Sequence, residues 1–202
     1  NNITLYAQWS ASDYIVDSNL NGGTSAKPEN QTVAYGDKIE KPSNPTYVEF
    51  TFVSWNTQID GEGTTWDFDT DTMGIGNMTL YAQWTPVLHT MSFDLNTGES
   101  DPIDPQSVPY NTLLTEPTPP TKTGYTFKGW DIGIDGDLLR WDFENTKMTN
   151  QDATLYAQWE ANLNTVKFDL NGGTSDPIAD NKVPTDGLIS KPTDPEKTGH
   201  TF

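Results

Sequence analysis

The sequence predicts a mainly β chain, α+β at most, assembled from small modules that recur every 75 residues. Three observations carry that prediction. The hexapeptide TLYAQW occurs at residues 4–9, 79–84 and 154–159, so that Tyr6, Tyr81 and Tyr156 are equally spaced. Other landmarks keep the same offset with no insertion or deletion: Leu20, Leu95 and Leu170; Val33, Val108 and Val183; Pro42, Pro117 and Pro192. Between the landmarks, short runs alternate apolar and polar residues with the period of a strand. Self-similarity at a fixed spacing marks an array of like units. A unit of this length is a small domain, with a radius of gyration of about 11 Å.

Each element follows in order within a unit. VKFDLN (166–171) and MSFDLN (91–96) alternate as a first strand; the corresponding IVDSNLN is weaker, with Ser18 where Phe93 and Phe168 stand. NGG at 21–23 and 171–173 provides a turn from residues that accept positive φ. A second short strand is expected around Gln31–Tyr35 and Gln106–Tyr110. The connectors KPSNPT, EPTPPT and KPTDPE space prolines too closely for a helix and favour an extended path. FTFVSW and YTFKGW form a third strand, TWDF and RWDF a fourth short one, and LYAQW closes the unit. Residues 69–77 and 144–152 are the only segments suited to a helical turn.

The frame of the repeats predicts the domain boundaries. Residues 1–9 are the closing strand of a preceding repeat, 14–84 and 89–159 are complete repeats, and 165–202 is a truncated one. The sequence reads as a window on a longer array, and its abrupt start without a signal peptide fits that frame.

Composition bounds the function. Apolar residues make up 33% of 202 residues and aromatics 11%, the mixture expected of several thin aromatic cores instead of one large core. A net charge of −18 argues against nucleic acid and anionic lipid as partners. No apolar run reaches the 18 residues that a membrane helix needs. Cysteine is absent, so the units hold without disulfides. No lysine recurs in all copies (Lys41 becomes Glu116), which excludes a Lys–Asn cross-link common to every unit.

FDLNGGTS, KPTDPEKTGHTF, YTFKGW, WDF and TLYAQW, in this order along the whole chain, closely resemble the Listeria–Bacteroides repeat, also called the internalin-type B repeat. The resemblance implies a β-grasp-like (ubiquitin-like) module repeated in tandem. It further implies an extracellular place at the bacterial cell surface, in proteins associated with virulence, adhesion and the cell wall, with signal peptide and anchor elsewhere. The first copy departs from the pattern at Ser18 and at Glu49–Phe50, where TGY or TGH is expected.

The candidate side chains divide into core and site. Trp9, Trp84, Trp159, Leu80, Leu155, Phe93, Phe168, Phe52, Phe127, Phe68 and Phe143 are expected in the core, because aromatics bury the most area per residue. Trp55 and Trp130 are expected either in the core or as stacking platforms for a sugar. Asp67, Asp69 and Asp71 alternate like the acids of a calcium loop, but Thr72 and Met78 occupy the places of its glycine and glutamate. The bland reading is a strand with Trp66 and Phe68 inward and the acids in water. His89 and His200 lie at positions that no other copy fills with histidine, and no nucleophile or metal-ligand spacing accompanies them. The expectation is a non-enzyme without catalytic residues or cofactor.

Two functions fit. One is a stalk that spaces another domain from a cell, stiffened by linkers of four or five residues (Thr85–Leu88, Glu160–Asn164). The other is an adhesin whose repeats each bind a host protein or glycan weakly and gain avidity in tandem. The loops 59–65 and 134–140 differ (IDGEGTT against IDGDLLR), which argues against a shared ligand site. A lesser reading is a homo-oligomeric filament, in which residues 1–9 of one copy pair with residues 165–202 of another. The expected partners are thus the neighbouring repeats of the same chain and, for the adhesin, a host surface protein or glycan.

Overall fold

A computed structural model of the chain describes residues 3–136, 140–175 and 178–202. Residues 137–139, inside the variable loop 134–140, lie outside the described residues. The chain forms two units, Asn1–Leu88 and His89–Phe202.

The first unit holds a four-stranded sheet of β1 (Asp13–Asn19), β2 (Gln31–Ala34), β3 (Phe50–Asn56) and β4 (Met78–Pro86), in the order β2-β1-β4-β3. The central pair is parallel, with Val16 opposite Met78 and Asn19 opposite Tyr81. β2 and β3 flank it antiparallel, and β3 carries a bulge between Phe52 and Ser54. The second unit repeats this plan with β5 (Leu88–Asp94), β6 (Gln106–Pro109), β7 (Tyr125–Asp131) and β8 (Ala153–Ala161), and the bulge falls between Phe127 and Gly129. The same unit ends in a hairpin of β9 (Leu163–Val166) and β10 (Asn181–Pro184). No helix occurs among the described residues. The fold is mainly β, and the parallel pairing of first and closing strands is the β-grasp-like feature of each sheet.

The sequence of the closing strand explains its position. Leu80 and Ala82, and likewise Leu155 and Ala157, are fully buried in the middle of the sheet. Around the first pair pack Val16, Val33, Ile39, Trp55 and Met73, with Phe52, Phe68 and Trp84 partly buried. Around the second pack Met91, Leu114, Trp130, Trp141 and Met148, with Phe93, Phe127, Phe143 and Trp159 partly buried. The polar members of the motif act as clamps. The Gln83 amide donates to the Gln58 carbonyl at 3.1 Å, and that of Gln158 to Gly133 at 3.1 Å. The Trp84 and Trp159 indole N–H groups each donate at 3.0 Å to Leu20 and Leu95 carbonyls, at the end of the first strand. Asn21 and Asn96, both at positive φ, donate to the Ala82 and Ala157 carbonyls at 3.0 Å.

Five expectations differ from the observed structure. The WDF segment is no strand: only an isolated bridge, Asn56 to Thr65 or Asp131 to Arg140, joins it to the sheet. Residues 69–77 and 144–152 form no helix. One turn closes, with Asp71 N on the Asp67 carbonyl and Thr146 N on that of Asp142, and the next donor, at Met73 or Met148, goes instead to Asp37 or Thr112. The first strand of the last repeat stops at Val166, short of Phe168, because it pairs only with β10; the residues that continue in β1 and β5 are held by a closing strand. Trp9 is 92% exposed, outside any core, because residues 3–12 form no strand and so pair with no sheet. Phe168 is half-buried and belongs to neither core cluster.

Candidate functional site

The proline connector and the bulged third strand leave a cleft between them in each of the first two repeats. In the first it has a volume of about 260 Å³ and is lined by Lys41, Asn44, Phe52, Val53, Trp55, Trp66 and Phe68. In the second it measures about 320 Å³ and is lined by Glu116, Pro119, Phe127, Lys128, Trp130, Arg140, Trp141 and Phe143. The shared lining positions are 75 residues apart. The floor is the same in both: two phenylalanines and two tryptophans. The rim is not, since Lys41 is replaced by Glu116, Asn44 by Pro119 and Val53 by Lys128.

Local backbone fixes that floor. The bulge shifts the register so that Trp55 and Trp130 oppose Ala82 and Ala157, small residues that leave room for an indole ring. The WDF bridge adds a bond from Trp66 N to the Trp55 carbonyl, and from Trp141 N to Trp130, both 2.8 Å. Phe52 and Phe127 meet the tryptophans edge-on at 5.7 and 5.6 Å. Such pairs contribute about 0.5–1.5 kcal/mol beyond area burial. Trp55 and Trp130 are only 2% and 1% exposed, so no ring face is open to a sugar. Their indole N–H groups, with those of Trp66 and Trp141, are buried and have no hydrogen-bond partner among the described residues. An unpaired buried donor costs about 1–3 kcal/mol. Four matching orphans are the polar feature that the floor offers.

The acidic run is occupied by its own backbone. Asp67 accepts from Asp69 N at 2.9 Å and from the Thr70 hydroxyl at 2.9 Å, while Asp71 accepts from Asp67 N at 2.9 Å. Lys38 donates to the Asp69 carbonyl. Asp142 repeats the cap, accepting from Asn145 Nδ2 at 2.8 Å and from Glu144 N at 2.9 Å. Hydrogen bonds to Asp69 N and the Thr70 hydroxyl hold the Asp67 carboxyl below its ordinary range, and Asn145 followed by Glu144 N does the same for Asp142. Among the described residues no three acids or histidines converge where a metal could sit.

Three features escaped sequence reasoning. Gln31 and Gln106 each bridge to the connector with two backbone bonds of 2.7 and 2.9 Å, to Glu40 and Thr115. Their recurrence at the 75-residue offset was the available signal. Asp131 is buried, 4% exposed, with one carboxyl oxygen unpartnered among the described residues, where the first repeat has a fully bonded Asn56. Gly124 recurs as Gly199 in the TGY/TGH motif, with Glu49 in the first copy, but nothing in the pattern pointed to its contact with Thr185.

Comparison with known proteins follows the same frame. The profile of the Listeria-Bacteroides repeat domain matches residues 14–83, 89–158 and 165–202. An Evansella cellulosilytica protein with the provisional name Gly-rich membrane protein is 38% identical over 203 residues, covering 100% of this chain and 22% of that protein. Internalin H of Listeria monocytogenes is 42% identical over 138 residues, 68% of this chain and 24% of the relative. The chain thus spans less than a third of the length of the curated relatives it matches. Domains 3-4 of the Streptococcal High Identity Repeats in Tandem, from a cell surface protein, align over 73% of this chain and 98% of theirs at 18% identity, with a TM-score of 0.31, too slight a likeness to transfer anything. By its repeats and by the match that covers all three of them, the chain belongs to the Listeria-Bacteroides repeat domain family.

Proposed function

We propose that this chain is a spacer: a non-catalytic stretch of a bacterial cell-surface protein that holds another part of that protein away from the cell. The observation that carries the reading is what recurs and what does not. The residues repeated between the two sheets are core and clamp: Leu80 and Leu155, Ala82 and Ala157, Gln83 and Gln158, Trp84 and Trp159, Asn21 and Asn96. The exposed rims of the clefts diverge in charge and shape. An array selected to bind one ligand repeatedly would keep the rim; an array selected for length keeps only the fold. The excess of negative charge fits this role, since it keeps neighbouring chains soluble and apart.

A second reading, an adhesin for host protein or glycan, is favoured by one observation, the four unpartnered indole N–H groups beneath matching clefts. A ligand acceptor that reached them would satisfy buried donors. The discriminating experiment is a binding screen of the 202-residue chain against glycans, peptidoglycan and host matrix proteins at physiological salt. The spacer reading expects no saturable binding. Saturable binding that shifts the indole N–H resonances of Trp66 and Trp141, and is lost on Lys41→Glu with Lys128→Glu at the rims, would replace it with the adhesin.

A further inference from the structure

The second unit contains a junction between two successive repeats, and it is hydrogen-bonded as tightly as a strand pair. β8 ends at Ala161 and β9 begins at Leu163, so a single residue, Asn162, connects the two strands. Asn162 N donates to the Gly124 carbonyl at 2.9 Å, and Thr185 N donates to the Asn162 carbonyl at 2.9 Å. The Thr185 hydroxyl donates to the same Gly124 carbonyl at 2.8 Å and accepts from Asn164 Nδ2 at 3.2 Å. The Tyr125 hydroxyl donates to the Asp186 carboxyl at 2.9 Å, and the Thr126 hydroxyl donates to Asn162 Oδ1 at 2.6 Å.

Gly124 is indispensable to this packing. Its φ is +80°, and a Cβ there would lie 2.6 Å from Thr185 Cγ2, far inside contact distance. We infer that the Gly124–Tyr125 corner is a docking surface for the following repeat of the same chain, and that the Thr185–Asp186 turn locks into it to make the two repeats one stiff body. This deepens the spacer reading and rests on it for its purpose: a stalk transmits reach only if its joints resist bending. The bond to the Asp186 carboxylate, which favours the protonated phenol, raises Tyr125 above its usual pKa of about 10. The two backbone bonds belong to the repeat pattern, since Val87 N donates to the Glu49 carbonyl and Tyr35 N to the Ser12 carbonyl, both at 2.9 Å, whereas the residues of the side-chain bonds vary between copies. At the 75-residue offset Gly124, Tyr125 and Thr185 become Glu49, Phe50 and Tyr110, and phenylalanine has no hydroxyl to donate.

Amide hydrogen exchange on the intact 202-residue chain tests the joint. The amides of Asn162 and Thr185 are expected to exchange at least tenfold more slowly than those of unpaired loop residues. Thr185→Val, which keeps the branched shape and removes the hydroxyl, should speed exchange at Asn162 and at position 185 by about fivefold, the loss of one hydrogen bond. Gly124→Ala should speed both by tenfold or more. Tyr125→Phe supplies an independent change on the other side of the lock, with a similar fivefold effect. Leu155 and Ala157 amides in β8 serve as the folding control and should not move. Unprotected Asn162 and Thr185 amides in the parent chain would overturn the joint, as would unchanged exchange in all three variants. Failure of the spacer reading would appear elsewhere, as saturable ligand binding with these exchange rates intact.

Discussion

At residue 56 the first repeat carries asparagine and at the matching residue 131 the second carries aspartate, and the two side chains fare differently in otherwise matching sheets. Asn56 donates to the Gly61 and Gly63 carbonyls at 3.0 and 3.2 Å and accepts from Gln58 N at 2.9 Å. Asp131 has no amide to donate, and one of its oxygens is buried without a partner among the described residues. A similar substitution alters the outer end of the sheet. In the first repeat Tyr47 stacks on Phe50 at 4.3 Å and meets Trp84 edge-on at 5.4 Å. In the second, Lys122 takes the tyrosine's place, 4.2 Å above the Tyr125 ring and 5.9 Å from that of Trp159. Within the core, Ser18 is replaced by Phe93, which adds an edge contact on Trp130 at 5.2 Å. The family fold therefore fixes volume and register at the centre of the sheet but tolerates different solutions wherever a polar group or a ring cap closes the structure.

The largest test of this contrast is at the core. Phe93→Ser would give the second repeat the first one's residue without the first one's surroundings, and should destabilise it by about 3–4 kcal/mol in chemical unfolding. A loss below 1 kcal/mol would mean that the two cores are interchangeable at this point.

Next comes the polar exchange. Asp131→Asn should stabilise the second repeat, and Asn56→Asp should destabilise the first, each by about 1–3 kcal/mol. Denaturant midpoints that move the same way in both variants would show that the loop carbonyls do not decide the choice.

The ring caps should matter less. Lys122→Met removes a cation–π contact and should cost about 0.5–1 kcal/mol. Tyr47→Leu removes the stack and the edge contact and should cost about 0.5–1.5 kcal/mol beyond the area lost. The first loss should shrink at high salt and the second should not.

The smallest effect is on acidity and is common to both repeats. Asp67 and Asp142 have folded pKa values below their unfolded ones, so the stability they add is present above the unfolded value of about 3.9. It is lost as pH falls through the folded value. Carbonyl-carbon NMR titration should show both residues ionising at lower pH than an aspartate in an unfolded peptide, and a normal midpoint for either would contradict its cap.

Much of this was legible in the sequence because it repeats. TLYAQW marked the closing strand, since burying Leu80 and Ala82 at every second position requires the same letters each time. The bulge, the WDF bridge and the single turn at Asp67 were not legible, because each depends on where one backbone bond goes, not on a pattern of residue types. The cleft was half legible: Trp55 and Trp130 stood out, but the register that turns their rings inward is set by the bulge. Gly124 was half legible: it recurs as Gly199 in the TGY/TGH motif, but its partner Thr185 lies 61 residues away and nothing in the pattern joins the two.

The central claim is that the chain supplies length and not recognition. Its most direct test is the height of a reporter displayed on a bacterial surface at the end of this chain, compared with a chain lacking residues 85–159 and with one in which residues 14–84 are replaced by a copy of residues 89–159, an exchange that keeps Gly124 and Thr185 in place. A spacer predicts a lower reporter after the deletion and an unchanged height, with unchanged function of the displayed part, after the exchange. Unaltered height after the deletion, or loss of function after the exchange, would contradict it.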